Sequence, residues 1–185
     1  MPLIPYADTS ALPDKAKEAF DRLPRKLNIF RMWANAPECF VSGLRFGGNI
    51  LGRQKLRADL RELVILLVAR MEHGEYEWVQ HVPIALDAGC RKEQIAALEA
   101  SRIDSDVFTA KEKALLKFSE EVIRHVRAKE DIVAEASRHF SPQEIVEIIL
   151  TCGFYMTMAR LTETTRVDID GPGGSAVLEG LKRES

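Results

Sequence analysis

The sequence predicts a single domain of the all-α class, and three observations support this. Apolar residues recur at helical spacing along most of the chain, whereas the alternation typical of strands is nearly absent. Glycine and proline stand mostly where those helices would end. The 185 residues are 46% hydrophobic and 29% charged, which is enough to bury the core of one globular domain.

Residues 1–56 are expected to form an N-terminal helical segment that packs on the core. After an irregular start, Thr9 or Ser10 could cap a first helix that ends near Arg22. Both residue types are common at helix N-caps because their side-chain oxygens accept from free backbone N–H groups. The first helix is therefore predicted at about 9–22.

The stretch FRMWANAPECFVSGLRFGGNILG predicts two more helices in this segment. A short one precedes a break before Pro37, and a longer one follows to about Leu51. Gly47 and Gly48 lie inside the longer helix. They either weaken it or mark the close approach of a neighbouring helix.

The most buried part of the chain is predicted next, at the start of a core that spans residues 57–169. From Arg57 to about Glu72, RADLRELVILLVARME is apolar almost all round after its first turns, as in a helix enclosed by others. Gly74 is a natural stop, and a second helix is predicted from about Tyr76 to Ala88. Pro83 lies within that helix and is expected to kink it.

Four further helices follow, at about Lys92–Ala100, Ala110–Arg127, Asp131–His139 and Pro142–Thr165. Two of them have capping boxes in the sequence, formed by Thr109 with Glu112 and by Ser141 with Glu144. From residue 170 the chain becomes Gly-rich and polar, so residues 170–185 are predicted to be a flexible C-terminal tail.

Composition argues against several classes of protein. A net charge of −2 and a pI near 6.1 do not favour nucleic-acid binding. The longest strongly apolar run, Leu63–Ala69, is too short to span a membrane. The start MPLIPYADTS has no basic region followed by an apolar one, so we expect a cytoplasmic protein.

The three cysteines do not form a recognisable disulfide or zinc pattern. Cys39, Cys90 and Cys152 are widely spaced and no CxxC is present. Cys152 lies in an apolar helix and is expected to be a buried, inert thiol. Cys90 follows a predicted helix end and is expected to be more exposed, although nothing in the sequence marks it as reactive.

The heptapeptide EYEWVQH carries the chemistry of most interest. Glu77 and His81 are four residues apart, so they share one face of a helix. That face continues through Ile84, Ala85 and Ala88, all apolar. The pair is therefore either an ordinary surface ion pair or a partly desolvated pair at the end of a buried stripe.

Glu62 begins a similar apolar stripe on the preceding helix. A short connection at Gly74 would make the two helices antiparallel neighbours and bring Glu62 and His81 to similar heights. Imidazole titrates near neutral pH, and a carboxyl group in apolar surroundings can hold its proton there. A group of Glu62, Glu77 and His81 would support proton transfer.

Three stretches resemble the carboxymuconolactone decarboxylase family, which includes the alkylhydroperoxidase D-like (AhpD-like) proteins. They are LRELVILLVARMEHGEYEWVQHVPIALDAGCRKEQI, FTAKEKALLKFSEEV and FSPQEIVEIILTCGFYMTMARL. The likeness runs from about Leu60 to Asp170. It implies an AhpD-like helical bundle that assembles into a homo-oligomer, commonly a trimer or hexamer.

The resemblance carries over only part of the family's functional residues. The peroxidase branch has a Glu, a CxxC and a His; Glu62 matches the Glu and His81 the His. The two cysteine positions fall on Gly74 and Glu77. Because a peroxidatic mechanism needs a thiolate at the site, peroxide reduction is disfavoured.

The decarboxylase branch is more similar, since it too has a Glu four residues before the His. It implies acid/base chemistry on a small carboxylated or lactone substrate, with no metal and no organic cofactor. His81 would donate or accept the proton, Glu77 would orient it, and Glu62 would be a second carboxylate in the pocket. Peroxide reduction and a non-catalytic helical oligomer that binds a small ligand remain the alternatives.

Four more side chains are candidates for substrate binding. Tyr76 and Trp78 flank Glu77, although two aromatics on one helix are commonly core residues. Tyr155 and Arg160 lie on the last long helix. Arg160 could bind a substrate carboxylate with two hydrogen bonds, or form a salt bridge at an interface.

Overall fold

Nine α-helices and no β-strand make up residues 1–171, the part of the chain that the computed structural model describes. In chain order they are α1 (Asp14–Arg22), α2 (Asn28–Trp33), α3 (Pro37–Arg53), α4 (Ala58–Met71), α5 (Glu75–Asp87), α6 (Lys92–Glu99), α7 (Ala110–His125), α8 (Glu130–Ser137) and α9 (Pro142–Thr165). The predicted all-α class is confirmed. The predicted flexible tail lies outside the described residues, except for its first two positions.

The centre of the fold is α4, where every residue from Leu60 to Ala69 is buried. It packs against α5, α6, α7 and α9, which explains why its sequence is apolar almost all round. Apolar side chains from these helices and from α3 and α8 form one continuous core around it.

The three N-terminal helices add two smaller apolar clusters. One joins α1 and α3 through residues that include Phe20 and Phe40. The other joins α2 to α5 and α9, and contains Ile29, Tyr76 and Met158. The second cluster packs α2 against α5 and α9, two helices that carry the candidate site.

The first helix begins later than its sequence suggested. Ser10 donates from its backbone N–H and its hydroxyl to the Asp8 carboxylate, which holds this stretch in a local turn. The helix starts only at Asp14, directly after Pro13. The prediction of a start at Thr9 or Ser10 is therefore wrong.

Glycines in α3 mark close helix packing rather than a break. The helix continues through Gly47 and Gly48 to Arg53, two residues beyond the predicted end. A Cβ at Gly47 would lie 2.7 Å from Cζ of Phe154, and one at Gly43 would lie 2.0 Å from Cζ2 of Trp33. The absence of side chains at these positions allows two aromatic rings to lie against the helix.

Helix ends elsewhere follow the sequence closely. Both capping boxes are present, at Thr109 and at Ser141. The turn between α4 and α5 differs, because His73 takes the left-handed conformation with φ of 57° whereas Gly74 has φ of −77°. The backbone conformation of Gly74 therefore does not require a glycine, but the close approach of the Glu77 side chain does.

The last helix, α9, is long and apolar enough to cross a membrane when judged by length and composition alone. In this fold it packs against α3, α4, α5, α7 and α8. A core helix that packs against several neighbours is also apolar over most of its surface, so the packing of α9 accounts for its composition.

Candidate active site

A buried hydrogen bond joins the two central helices. The Nδ1 atom of His81 on α5 lies 2.8 Å from Oε2 of Glu62 on α4, and Glu62 is fully buried. The tight connection after α4 makes the helices antiparallel, which brings residues 19 positions apart into contact. The predicted match in height between Glu62 and His81 is confirmed.

The second oxygen of Glu62 is held by a buried arginine. Nε and Nη2 of Arg61 lie 3.2 and 3.1 Å from Oε1, and the whole Arg61 residue is 5% exposed. A buried carboxylate requires such a partner, because an uncompensated charge is costly to desolvate. With the carboxylate accepting from Nδ1–H of His81, Nε2 is the nitrogen left to act as a base.

Glu77 does not orient His81, contrary to the prediction; Glu62 does. The Glu77 carboxyl group instead faces α9, where the Thr162 hydroxyl lies 3.1 and 3.0 Å from its two oxygens. Glu77 is 3% exposed. Burial raises its pKa to about 7, although the Thr162 hydroxyl and the nearby His81 act in the opposite direction.

The hydroxyl of Thr162 can serve both protonation states of Glu77. It also lies 3.2 Å from the carbonyl oxygens of Met158 and Ala159. When Glu77 is ionised, Thr162 donates its single proton to the carboxylate. When Glu77 is protonated, it donates to Thr162, which then donates to a carbonyl.

Gly74 makes room for this carboxyl group. A Cβ at Gly74 would lie 2.7 Å from Oε2 of Glu77 and 3.0 Å from Cβ of Ala159. These two positions are the ones that match the cysteines of the peroxidase pattern. In this chain the Glu77 carboxyl group lies directly beside the backbone of Gly74, where a side chain would clash with it.

Glu77 and His81 line one cavity between α2, α3, α5 and α9. Its volume is about 100 Å³, and it lies within a partly open cleft with about 720 Å³ of empty space. The walls are mainly apolar and aromatic, with rings from Phe30, Trp33, Tyr76, Phe154 and Tyr155. The Tyr155 ring stands perpendicular to His81, with centroids 4.9 Å apart.

Of the predicted substrate-binding residues, Tyr76 and Tyr155 line this cavity and Trp78 and Arg160 do not. Trp78 is partly buried against the main core, because adjacent helix positions point about 100° apart. The Arg160 side chain is 57% exposed and lies 2.8 Å from the Glu72 carboxylate. A substrate-binding role for Trp78 and Arg160 therefore stays a prediction that the lining of this cavity does not support.

The cysteines are not placed for thiol chemistry in the cavity. Cys90 is buried, not exposed as expected, and its thiol donates to the Asp59 carbonyl at 3.3 Å. Burial raises the pKa of both Cys90 and Cys152 to about 12. Cys39 is exposed and is not among the residues that line the cavity. Over residues 1–171, no group of three or more His, Cys, Asp or Glu side chains is placed to hold a metal ion.

The sequence reading missed several residues of the site. Arg61 could have been noticed as a cation directly before Glu62 in a helix predicted to be enclosed. Thr162, Phe30, Trp33 and Phe154 carried no local signal, because their roles depend on contacts between distant helices. Asp170 was assigned to the tail.

Asp170 instead connects the end of the described chain to the cavity wall. Its Oδ2 accepts from the Tyr76 phenol at 2.6 Å and from the Asn28 backbone N–H at 2.8 Å. Its backbone carbonyl accepts from the Gln80 side chain at 3.0 Å. Residue 170 thus fastens the chain beside α2 and α5.

Comparison with known proteins gives a family match for the middle of the chain. Residues 41–121 match the model of the carboxymuconolactone decarboxylase family. The match starts in α3 and ends in α7, so it includes Glu62, Glu77 and His81. No curated protein matches the chain significantly.

Solved structures with the same fold cover nearly the whole chain. A peroxidase-related protein from Ralstonia eutropha JMP134, described as an alkylhydroperoxidase AhpD core, is 19% identical with a TM-score of 0.78, covering 97% of this chain and 96% of its own. A peroxidase-related protein from Silicibacter sp. TM1040 is 20% identical with a TM-score of 0.75, covering 90% and 89%. A variant of the debrominase Bmp8 in complex with 2,3,4-tribromopyrrole is 15% identical with a TM-score of 0.71, covering 99% and 97%.

Proposed function

We propose that the chain is an acid/base enzyme of the carboxymuconolactone decarboxylase and AhpD-like superfamily, a placement that the family match of residues 41–121 and the shared fold support. It would move protons to and from a substrate in the cavity between α2, α3, α5 and α9, using its own side chains. One observation carries the proposal: a buried imidazole, His81, and a buried carboxyl group whose pKa is raised to about 7, Glu77, line the same apolar cavity.

His81 would act through Nε2, with Glu62 and Arg61 as positioning residues. The carboxylate of Glu62 fixes the imidazole by accepting from Nδ1–H, and Arg61 compensates the carboxylate charge. This arrangement favours a base whose orientation is set before the substrate arrives.

Glu77 would be the second proton-transfer group. With a pKa of about 7, it is part protonated and part ionised at neutral pH, so it can act as acid or base. Lactone isomerisation requires a proton to leave one carbon and another to reach a second carbon. Decarboxylation requires a proton to reach the carbon that loses CO₂. Both reactions fit a pair of groups on one wall of a cavity.

Peroxide reduction receives less support, although two structural relatives are described as peroxidase-related. That chemistry needs an accessible thiolate, and Cys90 and Cys152 are both buried with pKa values near 12. Non-catalytic ligand binding is the other alternative, and the experiment below separates it from catalysis.

The test compares turnover of His81→Ala, Glu77→Gln and a control, His139→Ala, on a panel of lactones and small carboxylic acids. His139 pairs with Glu135 on α8 and lies outside the cavity. We expect kcat/KM to fall by roughly 10²–10⁴-fold for the first two variants and to stay unchanged for the control. A folded His81→Ala variant with full turnover would overturn the assignment.

We also propose that the protein forms a homo-oligomer through the outer side of α3 and α9. Phe46, Val146, Ile149 and Leu150 are large apolar residues exposed on these two helices, at 41, 54, 41 and 43%. Phe46 and Phe154 are in edge-to-face contact, with centroids 5.6 Å apart, which connects the two helices. A second copy of the chain would remove this surface from water.

A further inference from the structure

We propose that the cavity selects a small, uncharged apolar ring and discriminates against carboxylates of the same size. The inference rests on the proposed function for the site, and it names the class of substrate that the site would take. It replaces the small organic acid that the family resemblance implied, and of the two proposed reactions it favours lactone isomerisation, because decarboxylation requires a carboxylate substrate. Its evidence is the charge, shape and size of the cavity.

The charge of the cavity lining disfavours a carboxylate. Among the described residues that line the cavity there is no lysine or arginine. Among the described residues near it, Arg61 is held by Glu62 and Arg160 by Glu72. A carboxylate in the cavity would lose its hydration without gaining a lysine or arginine partner, and it would lie beside the acidic side chain of Glu77.

Shape is the second argument. The Trp33 and Phe154 rings lie 6.1 Å apart between centroids, and the Phe154 and Tyr155 rings lie 5.4 Å apart at 80°. Gly43 and Gly47 allow the first two rings to approach α3 closely. Rings set at steep angles to each other offer both faces and edges, which suits a flat apolar guest.

The volume of the cavity suits a single small ring. The cavity of about 100 Å³ is smaller than the roughly 150 Å³ apolar cavity that binds benzene. A five- or six-membered ring would therefore fill it after small side-chain shifts, with substituents directed into the open cleft. Glu77 and His81 are two polar side chains of the lining that could hydrogen-bond an oxygen or N–H on the ring.

The test is a binding series that varies charge at nearly constant shape: phenol, benzoate and benzylamine at pH 7. Affinity is measured by titration calorimetry. Location is measured by NMR shifts of the two indole N–H groups, since Trp33 lines the cavity and Trp78 does not. We expect phenol to bind at least about tenfold more tightly than either charged compound, with the shift at Trp33.

Several results would overturn the inference. They are equal or tighter binding of benzoate, equal or tighter binding of benzylamine, no detectable binding of phenol, or a shift confined to Trp78. A complementary variant, Leu44→Arg, places a cation at a partly exposed position of the lining. It is expected to raise the affinity for benzoate by about tenfold, because the carboxylate then gains a partner.

Glu77→Gln separates this inference from the proposed function. The variant keeps the size of the side chain, so phenol binding is expected to stay within about threefold of wild type. If it also kept full turnover, the acid/base role would fail while ring selectivity stood. If selectivity failed and turnover still depended on Glu77, only the substrate class would be wrong.

Discussion

Glu62 and Glu77 are both buried carboxyl groups, but the chain compensates them in different ways. Glu62 has a guanidinium and an imidazole as partners, whereas Glu77 has a hydroxyl. A charge-paired carboxylate is suited to hold a histidine in place. A carboxyl group without a paired cation keeps its proton to higher pH and is suited to exchange it. The residue environments, more than the residue types, assign the two roles.

Replacing Glu77 with Gln should change how stability depends on pH. Burial raises the pKa of Glu77 from its ordinary 4.5 to about 7, so the folded wild type binds the proton more tightly than the unfolded chain. Wild-type stability is therefore lost as pH rises from 4.5 through 7, by up to about 3 kcal/mol. The free energy of unfolding in urea is measured for both proteins at pH 4.5 and pH 8.5. Relative to wild type, Glu77→Gln should be more stable at pH 8.5 than at pH 4.5, by up to about 3 kcal/mol.

Equal pH dependence of the two proteins would contradict the burial argument for Glu77. Glu93→Gln is a suitable control, because this exposed glutamate on α6 does not share the burial of Glu77. It should leave the difference between the two pH values close to that of wild type.

Arg61 should contribute far more to the free energy of unfolding than Arg57, an exposed arginine directly before α4. In Arg61→Met the buried Glu62 carboxylate loses its guanidinium partner, which is expected to lower the free energy of unfolding by about 3–5 kcal/mol. Arg57 pairs with Asp59 at the surface and is 74% exposed. Arg57→Met should cost less than about 1 kcal/mol. Similar losses in both variants by chemical denaturation would refute the structural role of Arg61.

At the scale of elements, α2 depends on a residue from the other end of the described chain. Its N-cap, Leu27, has no side-chain hydrogen bond to offer. The Asp170 carboxylate accepts from the first backbone N–H of the helix, at Asn28, and so compensates for the missing cap. Because α2 carries the Phe30 and Trp33 walls, this contact also supports the cavity.

Asp170→Ala should loosen α2 without unfolding the core. Loss of the carboxylate frees the Asn28 N–H and the Tyr76 hydroxyl, at an expected cost of about 1 kcal/mol. Hydrogen exchange should accelerate in α2 and stay unchanged in α4 and α7. Asp168→Ala is the control, since its side chain contacts the N-terminal residues Met1 and Tyr6 instead. Slow exchange retained in α2 of the Asp170 variant would disprove the capping role.

For the whole molecule, the expected result is self-association through α3 and α9. Leu150→Glu places a charge in the exposed apolar surface of α9 and should shift the protein towards monomer. Leu86→Glu, on α5, changes a similarly exposed leucine outside that surface and should not. Sedimentation velocity of wild type and both variants decides this. A wild-type monomer, or an oligomer that Leu150→Glu leaves intact, would contradict the proposed interface.

The sequence by itself determined the helical class, most helix boundaries and two residues of the site that touch each other. These features depend on local chemistry: the apolar all-round pattern of α4, the capping boxes at Thr109 and Ser141, and the spacing of Glu62, Glu77 and His81 around a short turn. The start of α1 was misjudged because the Asp8 turn competes with helix formation at Ser10.

Only the tertiary structure decided which carboxylate holds His81 and what forms the cavity. Glu77 is four residues from His81, but the packing of α9 places Thr162 next to its carboxyl group, while α4 presents Glu62 to the imidazole. The aromatic walls come from α2, α5 and α9, helices far apart in the chain. Side-chain partners across helices depend on rotation and close approach, which periodicity in one helix does not specify.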